Sequence, residues 1–347
     1  MSAPWIEADG TPVVGADMFV PLQLLEAMRG GGDVASVASP LLYANLPTIC
    51  KIFKMWLPDM HNGPRYSLRD CLAPAPSVND SSVFFSGGVD GMYSLLAHRD
   101  SLTNMVMVHG FDVPLDEREK FARAEASARE LAEVLGKRLI VVRTNLRNVW
   151  KPVRWELTYG AALAFVGLAL QQFHSKVLIG SSSSIANLRP WGSHPLLDPL
   201  WSTEAVQFVH DGLYVSRVEK TALVASHPEA LKRLRVCWQD GAAFNCGRCE
   251  KCLRTMVVLQ GFGKLAGAPF PAKTVDPRWL RDINRGNPSY WRELFAPEVA
   301  LPAELSASVT RLIRDLENSL PGATSLRGRA RRLRAMAKQT AKLWGLT

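Results

Sequence analysis

The sequence predicts an α/β fold, a parallel sheet with helices on both faces. Three observations predict it. From Ser82 onward, short apolar runs alternate with longer helical segments, which is the order of a parallel sheet. Those runs are mostly apolar, as strands covered on both sides are. The longest apolar stretch, 157–170, has 14 residues, where a membrane span needs about 20. It reads as a helix buried against the sheet.

A chain of 347 residues holds two domains or one large domain with additions. The expected division is an N-terminal α/β lobe over 1–78, a nucleotide domain over 79–265 and a helical extension over 266–347. Apolar content of 47% supplies a sizeable core and excludes disorder throughout. Glu7, Asp9 and Gly10 break up the first apolar residues, so no signal peptide is expected and the compartment expected is the cytoplasm.

The elements follow in order. Asp9-Gly10 between two extended runs, from Trp5 to Val14, signals a hairpin. Pro21 to Arg29 has a helical pattern. Val34 to Val37 reads as a short strand. Ser39-Pro40 is a cap followed by proline at the first helical position, opening a helix that runs to about Trp56. A loop then extends from Gly63-Pro64 to Asp80. Five sheet strands are expected at 83–85, 104–109, 138–143, 176–180 and 205–210. Helices are expected near 91–99, 116–136, 157–173, and 185–190 or the 200s. Gly136 supplies the stop of the second of these.

The segment 82–94, SVFFSGGVDGMYS, carries the chemistry. An apolar strand ends in Ser86-Gly87-Gly88, Asp90 follows, and a helix begins. Glycines let a backbone approach a ligand closely. The N–H groups of a first helical turn have no partner inside the helix and point at an anion. A glycine turn that only joins strand to helix is the plain alternative. There is no GxxxxGK[ST] and no GxGxxG after a strand.

Ser86-Gly87-Gly88-Val89-Asp90 resembles the SGGxD core of the PP-loop ATP pyrophosphatases, the adenine nucleotide alpha-hydrolase-like superfamily. That resemblance implies a HUP/Rossmann-like fold with a five-stranded parallel sheet. It also implies cleavage of ATP between its α- and β-phosphates, with AMP passed to a substrate oxygen and then displaced by nitrogen or sulfur. Gly91 stands where the family carries serine, which removes a hydroxyl from the pyrophosphate. Ligands of such sheets lie beyond the strand C-termini. The expected ATP contacts are therefore Ser86, Gly87, Gly88, Val89, Asp90, Gly91, His109, Phe111, Arg143, Gly180 and Ser181. The base is expected near Val108–His109 and Arg143. Ser86, Asp90 and Lys220 are the expected catalytic residues, with Mg²⁺ on Asp90 because that ion prefers carboxylate and phosphate oxygens.

Cys237, Cys246, Cys249 and Cys252 form C-x8-C-x2-C-x2-C. Four thiolates at this spacing suit a tetrahedral Zn²⁺ site that leaves no open position for chemistry. An iron–sulfur cluster competes, since thiolates hold those too. Disulfides are the other option, rare in a reducing cytosol. Cys50 and Cys71 read as small buried hydrophobes, with Cys71 a weak outside candidate for chemistry.

Loop and cysteines together are similar to the 7-cyano-7-deazaguanine synthase branch over about residues 80–260. That branch converts a carboxylate to an amide and a nitrile with ATP and ammonia. Val108-His109-Gly110-Phe111-Asp112, Val177-Leu178-Ile179-Gly180 and the segment led by Lys220 are further local matches. The long segment 181–203 does not match, so the substrate is expected to differ. His194, Asp198, Ser202, Thr203 and Lys251 are weaker candidates for substrate contact. The expected function is an AMP-forming, C–N bond-forming ligase. Ser2 follows Met1, so a glutaminase cysteine is not expected there, and free ammonia or a partner would deliver nitrogen. The rivals are a PP-loop sulfur transferase acting on tRNA or a small molecule, and a non-catalytic nucleotide binder.

Of the net charge of +9, Arg327, Arg329, Arg331, Arg332, Arg334, Lys338 and Lys342 supply +7, leaving about +2 on the rest. With Leu333, Met336, Leu343 and Trp344 interleaved, 327–344 reads as a basic amphipathic helix. It could meet nucleic acid or an anionic surface, or be a solvated tail. No transmembrane segment is expected, and a homo-oligomer is possible.

Overall fold

The computed structural model describes residues 3–34, 36–60, 63–69, 78–150, 154–237, 239 and 244–319. Cys71 and the basic tail 327–344, both singled out above, lie outside the described residues. The chain forms two compact units, 1–238 and 239–347.

The first unit opens with a hairpin, β1 (Ile6–Ala8) and β2 (Thr11–Pro12). Asp9 and Gly10 have φ of 49° and 79°, so both central turn residues are left-handed, as a tight hairpin that follows the strand twist requires. Helices α1 (Val20–Gly30) and α2 (Pro40–Trp56) follow. Ser39 caps α2 by accepting from the Leu42 amide at 3.0 Å. Asp17 reaches across to accept from the Ala38 and Ser39 amides, both at 2.7 Å. The strand expected at Val34–Val37 is reduced to two isolated bridges, Asp33 with Arg65 and Val37 with Leu68.

The α/β alternation follows: β3 (Ser81–Phe84), α3 (Val89–Ala97), β4 (Asn104–His109), α4 (Arg118–Leu135), β5 (Arg138–Thr144), α5 (Leu146–Val149), α6 (Trp155–Ala169), β6 (Lys176–Gly180), β7 (Gln207–Asp211), α7 (Arg217–Ser226) and α8 (Pro228–Leu231). Gly136 ends α4 with φ 64°, the left-handed C-terminal stop. The helix expected around 185–190 or the 200s is two short 3₁₀ turns, Ile185–Asn187 and Asp198–Trp201. The last strand begins at Gln207, not Ala205. The Thr203 hydroxyl accepts from the Ala205 and Val206 amides, which takes those donors out of the ladder.

The sheet order is β2-β1-β5-β4-β3-β6-β7. The pairs β5–β4, β4–β3, β3–β6 and β6–β7 are parallel, while β1 joins β5 antiparallel with Glu7 opposite Arg143. This corrects the expected sheet. It has seven strands and is mixed, because the N-terminal hairpin satisfies the outer edge of β5. Both faces are buried. Val106, Ile140, Val142, Val177 and Ile179 share a cluster with residues of α1, α2 and α6. Their alternates Met105, Leu139, Val141 and Leu178 are buried as well.

The second unit contains α9 (Glu250–Gly261), α10 (Pro288–Arg292) and α11 (Ala303–Glu317). Leu305, Val309, Leu312 and Leu316 form the buried stripe of α11 at helical spacing. No helix among the described residues is long and apolar enough to cross a membrane.

Candidate functional site

The strand order reverses between β3 and β6, and in such sheets the crevice beyond the strand C-termini at that point accepts ligands. The SGGVDG loop leaves β3 there. Phe85 continues the strand, its N–H donating to Val106 O at 2.8 Å. Gly87 then takes φ 81°, a conformation costly for any residue with a side chain. Gly88 is extended and caps α3, and Asp90 sits in the first turn. Val89, the first residue of α3, is fully buried.

Gly91 has a packing reason. A Cβ at that position would lie 2.9 Å from the Phe84 carbonyl oxygen. A Cβ on Gly180 would lie 2.8 Å from the Asp90 carbonyl carbon and oxygen. The two glycines let the start of α3 lie directly on the ends of β3 and β6.

Cations surround Asp90. Arg217 Nη1 donates to Asp90 Oδ2 at 2.7 Å. Lys220 Nζ lies 4.0 Å from Asp90 Oδ1 and donates to the Ser181 carbonyl at 2.6 Å. Asp90 Oδ1 is buried without a hydrogen-bond partner. Lys220 is 2% exposed, with its ammonium 5.7 Å from the Tyr93 ring centre. Arg235 braces the loop from the other side. Its amide donates to Gly87 O at 2.8 Å and its Nε to Ser86 O at 3.2 Å. Burial lowers the Arg235 guanidinium from its ordinary value, with Asp112 and Cys237 opposing.

The expected site residues divide. Ser86 through Gly91, Gly180, Ser181 and Lys220 gather at the reversal. His109, Phe111 and Arg143 have partners elsewhere. The His109 ring stacks on Phe121 at 4.0 Å and bonds Pro114 O at 2.9 Å, and burial lowers its basicity. Phe111 packs edge-on against Trp155. Arg143 pairs with Glu7 across the β1–β5 ladder at 3.7 Å.

His194, Asp198, Ser202 and Thr203 are all buried. Ser202 accepts from the Phe208 amide, and His194 Nδ1 from the Leu196 amide. Lys251 stands in the first turn of α9. Sequence reasoning missed Arg217, Arg235 and His210. The S-R-V-E capping box, in which Ser216 and Glu219 bond each other's backbone, announced the helix carrying Arg217. Nothing local announces Arg235 or His210.

The ligand atoms of Cys237, Cys246, Cys249 and Cys252 lie within 4.8 Å of one another. Cys246 and Cys252 sulfurs are 3.8 Å apart, and the Arg248 and Cys249 amides donate to the Cys246 sulfur at 3.4 and 3.3 Å. A tetrahedral ion with bonds of about 2.3 Å separates its sulfurs by about 3.8 Å. The four cysteines could hold one metal ion such as zinc. Gly247, with φ 68°, makes the turn between them. The Cys50 thiol is pushed up to about 11 by burial.

No protein-family model matches the chain, and no curated protein matches it.

Proposed function

We propose that the protein is an ATP pyrophosphatase of the PP-loop type, with the fold relationship to HUP/Rossmann-like proteins that this implies. It adenylates a carboxylate or carbonyl oxygen and then transfers a nitrogen nucleophile. The observation that carries this reading is the loop 86–91. It combines a left-handed Gly87, a helix N-terminus and a cluster of Arg217, Lys220 and Arg235, all where the strand order reverses.

The chemistry follows from those groups. The substrate oxygen attacks the α-phosphorus of ATP, the bond to the β-phosphate's bridging oxygen breaks, and pyrophosphate leaves. Amides of the first turn of α3, with the nearby cations, stabilise the charge that develops on pyrophosphate. The nitrogen nucleophile then attacks the activated carbon, AMP departs, and the nucleophile's proton is lost. Mg²⁺, when bound, would neutralise phosphate charge. The buried Asp90 Oδ1, lacking a hydrogen bond, is the oxygen that would hold it. The four cysteines would hold Zn²⁺ as a structural ion, since all its positions would be filled by protein.

The sulfur-transfer rival requires a reactive thiolate, and a Cys50 thiol raised to about 11 is a poor one. Calorimetry with magnesium and ATP, followed by a substrate screen that reads pyrophosphate, tests the proposal. Binding and substrate-dependent AMP and pyrophosphate are expected. No detectable affinity for ATP, or turnover to ADP and phosphate, overturns it. Binding with no pyrophosphate from any substrate would favour the non-catalytic reading.

A further inference from the structure

Beside the loop 86–91 lies a buried polar chain that the reaction above does not use. Asp198 is fully buried. Its Oδ2 accepts from Ser193 Oγ at 2.6 Å and meets His210 Nδ1 at 2.7 Å, and its Oδ1 accepts from the His194 amide at 3.2 Å. An acceptor-only carboxylate fixes the proton of His210 on Nδ1. The other ring nitrogen, Nε2, lies 2.8 Å from Ser181 Oγ. That hydroxyl also lies 2.6 Å from Ser183 O, where it is the donor because a carbonyl only accepts. The His210 side chain is 4% exposed and that of Asp198 0%, so water does not substitute for these partners.

Ser181 Oγ has one proton and two acceptors in reach when His210 is neutral. When the ring carries both protons, Nε2 becomes the donor and the hydroxyl is left to bond Ser183 O. We infer that His210 is a positioning residue for the loop 180–184, acting through Ser181, and that its proton selects between two hydrogen-bond settings of that loop. With the imidazolium, Ser181 ties down Ser183 O. With the neutral ring, the Ser181 proton turns to Nε2 and Ser183 O loses the bond from Ser181. Asp198 holds the ring orientation in both settings.

The groups facing His210 come from four further elements. The segment 193–198 brings Ser193, His194 and Asp198. The end of β6 brings Ser181, whose N–H donates to Asp211 O at 2.8 Å, and α7 brings Lys220 onto the Ser181 carbonyl. Tyr159 of α6 also interacts with Asp198 electrostatically. The basicity of His194 is lowered first by burial and then by the charge of His210, with Asp198 opposing. The consequence for nucleotide binding rests on the proposal that 180–184 borders ATP, because Gly180 lies against Asp90 and Ser181 against Lys220.

The test needs no nucleotide. In the full chain, the ring C–H signals of His210 are followed by NMR against pH, and amide exchange of Ser183 and Ser184, corrected for its intrinsic pH dependence, is measured on the same sample. Exchange is expected to quicken severalfold as His210 loses its proton, with the same midpoint. Ser181→Ala is expected to abolish that step. His210→Leu is expected to leave exchange slow at every pH, because the Ser181 hydroxyl then keeps its bond to Ser183 O, while amides of β4 remain as protected as in the wild type. An exchange profile that does not follow His210, or a step that survives in Ser181→Ala, overturns the inference. A separate ATP titration at the two ends of the transition reports on the nucleotide site, so loss of the ATP reading and loss of the switch are separate results.

Discussion

Arg217 Nη1 donates to Asp90 Oδ2 at 2.7 Å across 127 residues of sequence, joining the first turn of α7 to the first turn of α3. The two side chains are 14% and 21% exposed, so solvent screens the pair only in part. Removing Arg217 leaves a carboxylate in a site it no longer fits. Arg217→Ala is expected to cost about 1.5–3 kcal/mol of stability, the range of a hydrogen bond to a charged group. A double-mutant cycle with Asp90→Ala in chemical denaturation is expected to give a coupling of at least about 0.5 kcal/mol, and additive single effects would refute the pairing.

Gly91→Ser restores the serine that the SGGxDS pattern carries, yet it puts a Cβ 2.9 Å from Phe84 O. Overpacking of this kind costs about 1–3 kcal/mol. A lower melting temperature than the wild type is expected, and an unchanged one would mean that α3 can move away from β3. ATP affinity of the folded variant, measured beside it, separates the effect of the added hydroxyl from that of the packing.

The cysteine cluster predicts about one equivalent of tightly held metal per chain, with zinc the expected element by mass spectrometry. Cys249→Ser and treatment with a strong chelator should each lower thermal stability, because metal binding is folding free energy in such sites. A purified chain that is free of metal and indifferent to chelator would remove the ion from this account. An iron signal with visible absorbance would change its identity.

His174 predicts an acid limb of stability. It is buried between β3 and α6, with Nδ1 2.8 Å from Ser82 Oγ and Nε2 3.0 Å from Gly167 O. Burial lowers it to about 4 from an ordinary 6.5. Between these values the unfolded chain binds a proton that the folded chain refuses, so stability falls as pH falls through that window. The full effect is on the order of 3 kcal/mol. Urea midpoints measured from pH 7 to pH 4 should show the decline. His174→Gln, which has no such proton to take up, should flatten it whatever its own baseline stability.

The sequence by itself determined the local structure and the chemistry that is local. Ser39-Pro40 wrote the start of α2, and Gly136 the end of α4. The apolar runs wrote β4 and β6 to the residue, because the centres of strands buried on both faces are apolar, while Asn104, His109 and Lys176 stand at their ends. It also set four thiolates within 16 residues and two glycines ahead of a helix, since turns and helix ends depend only on neighbours in the chain. The tertiary structure alone decided what meets across distance. It placed the N-terminal hairpin on β5 and sent His109 and Arg143 to partners of their own. It also brought Arg217, Arg235 and His210 to the reversal between β3 and β6. The physical reason is that a charged side chain has no periodic signature. Its partner is fixed by strand order and helix packing, and neither is written within any stretch of neighbouring residues.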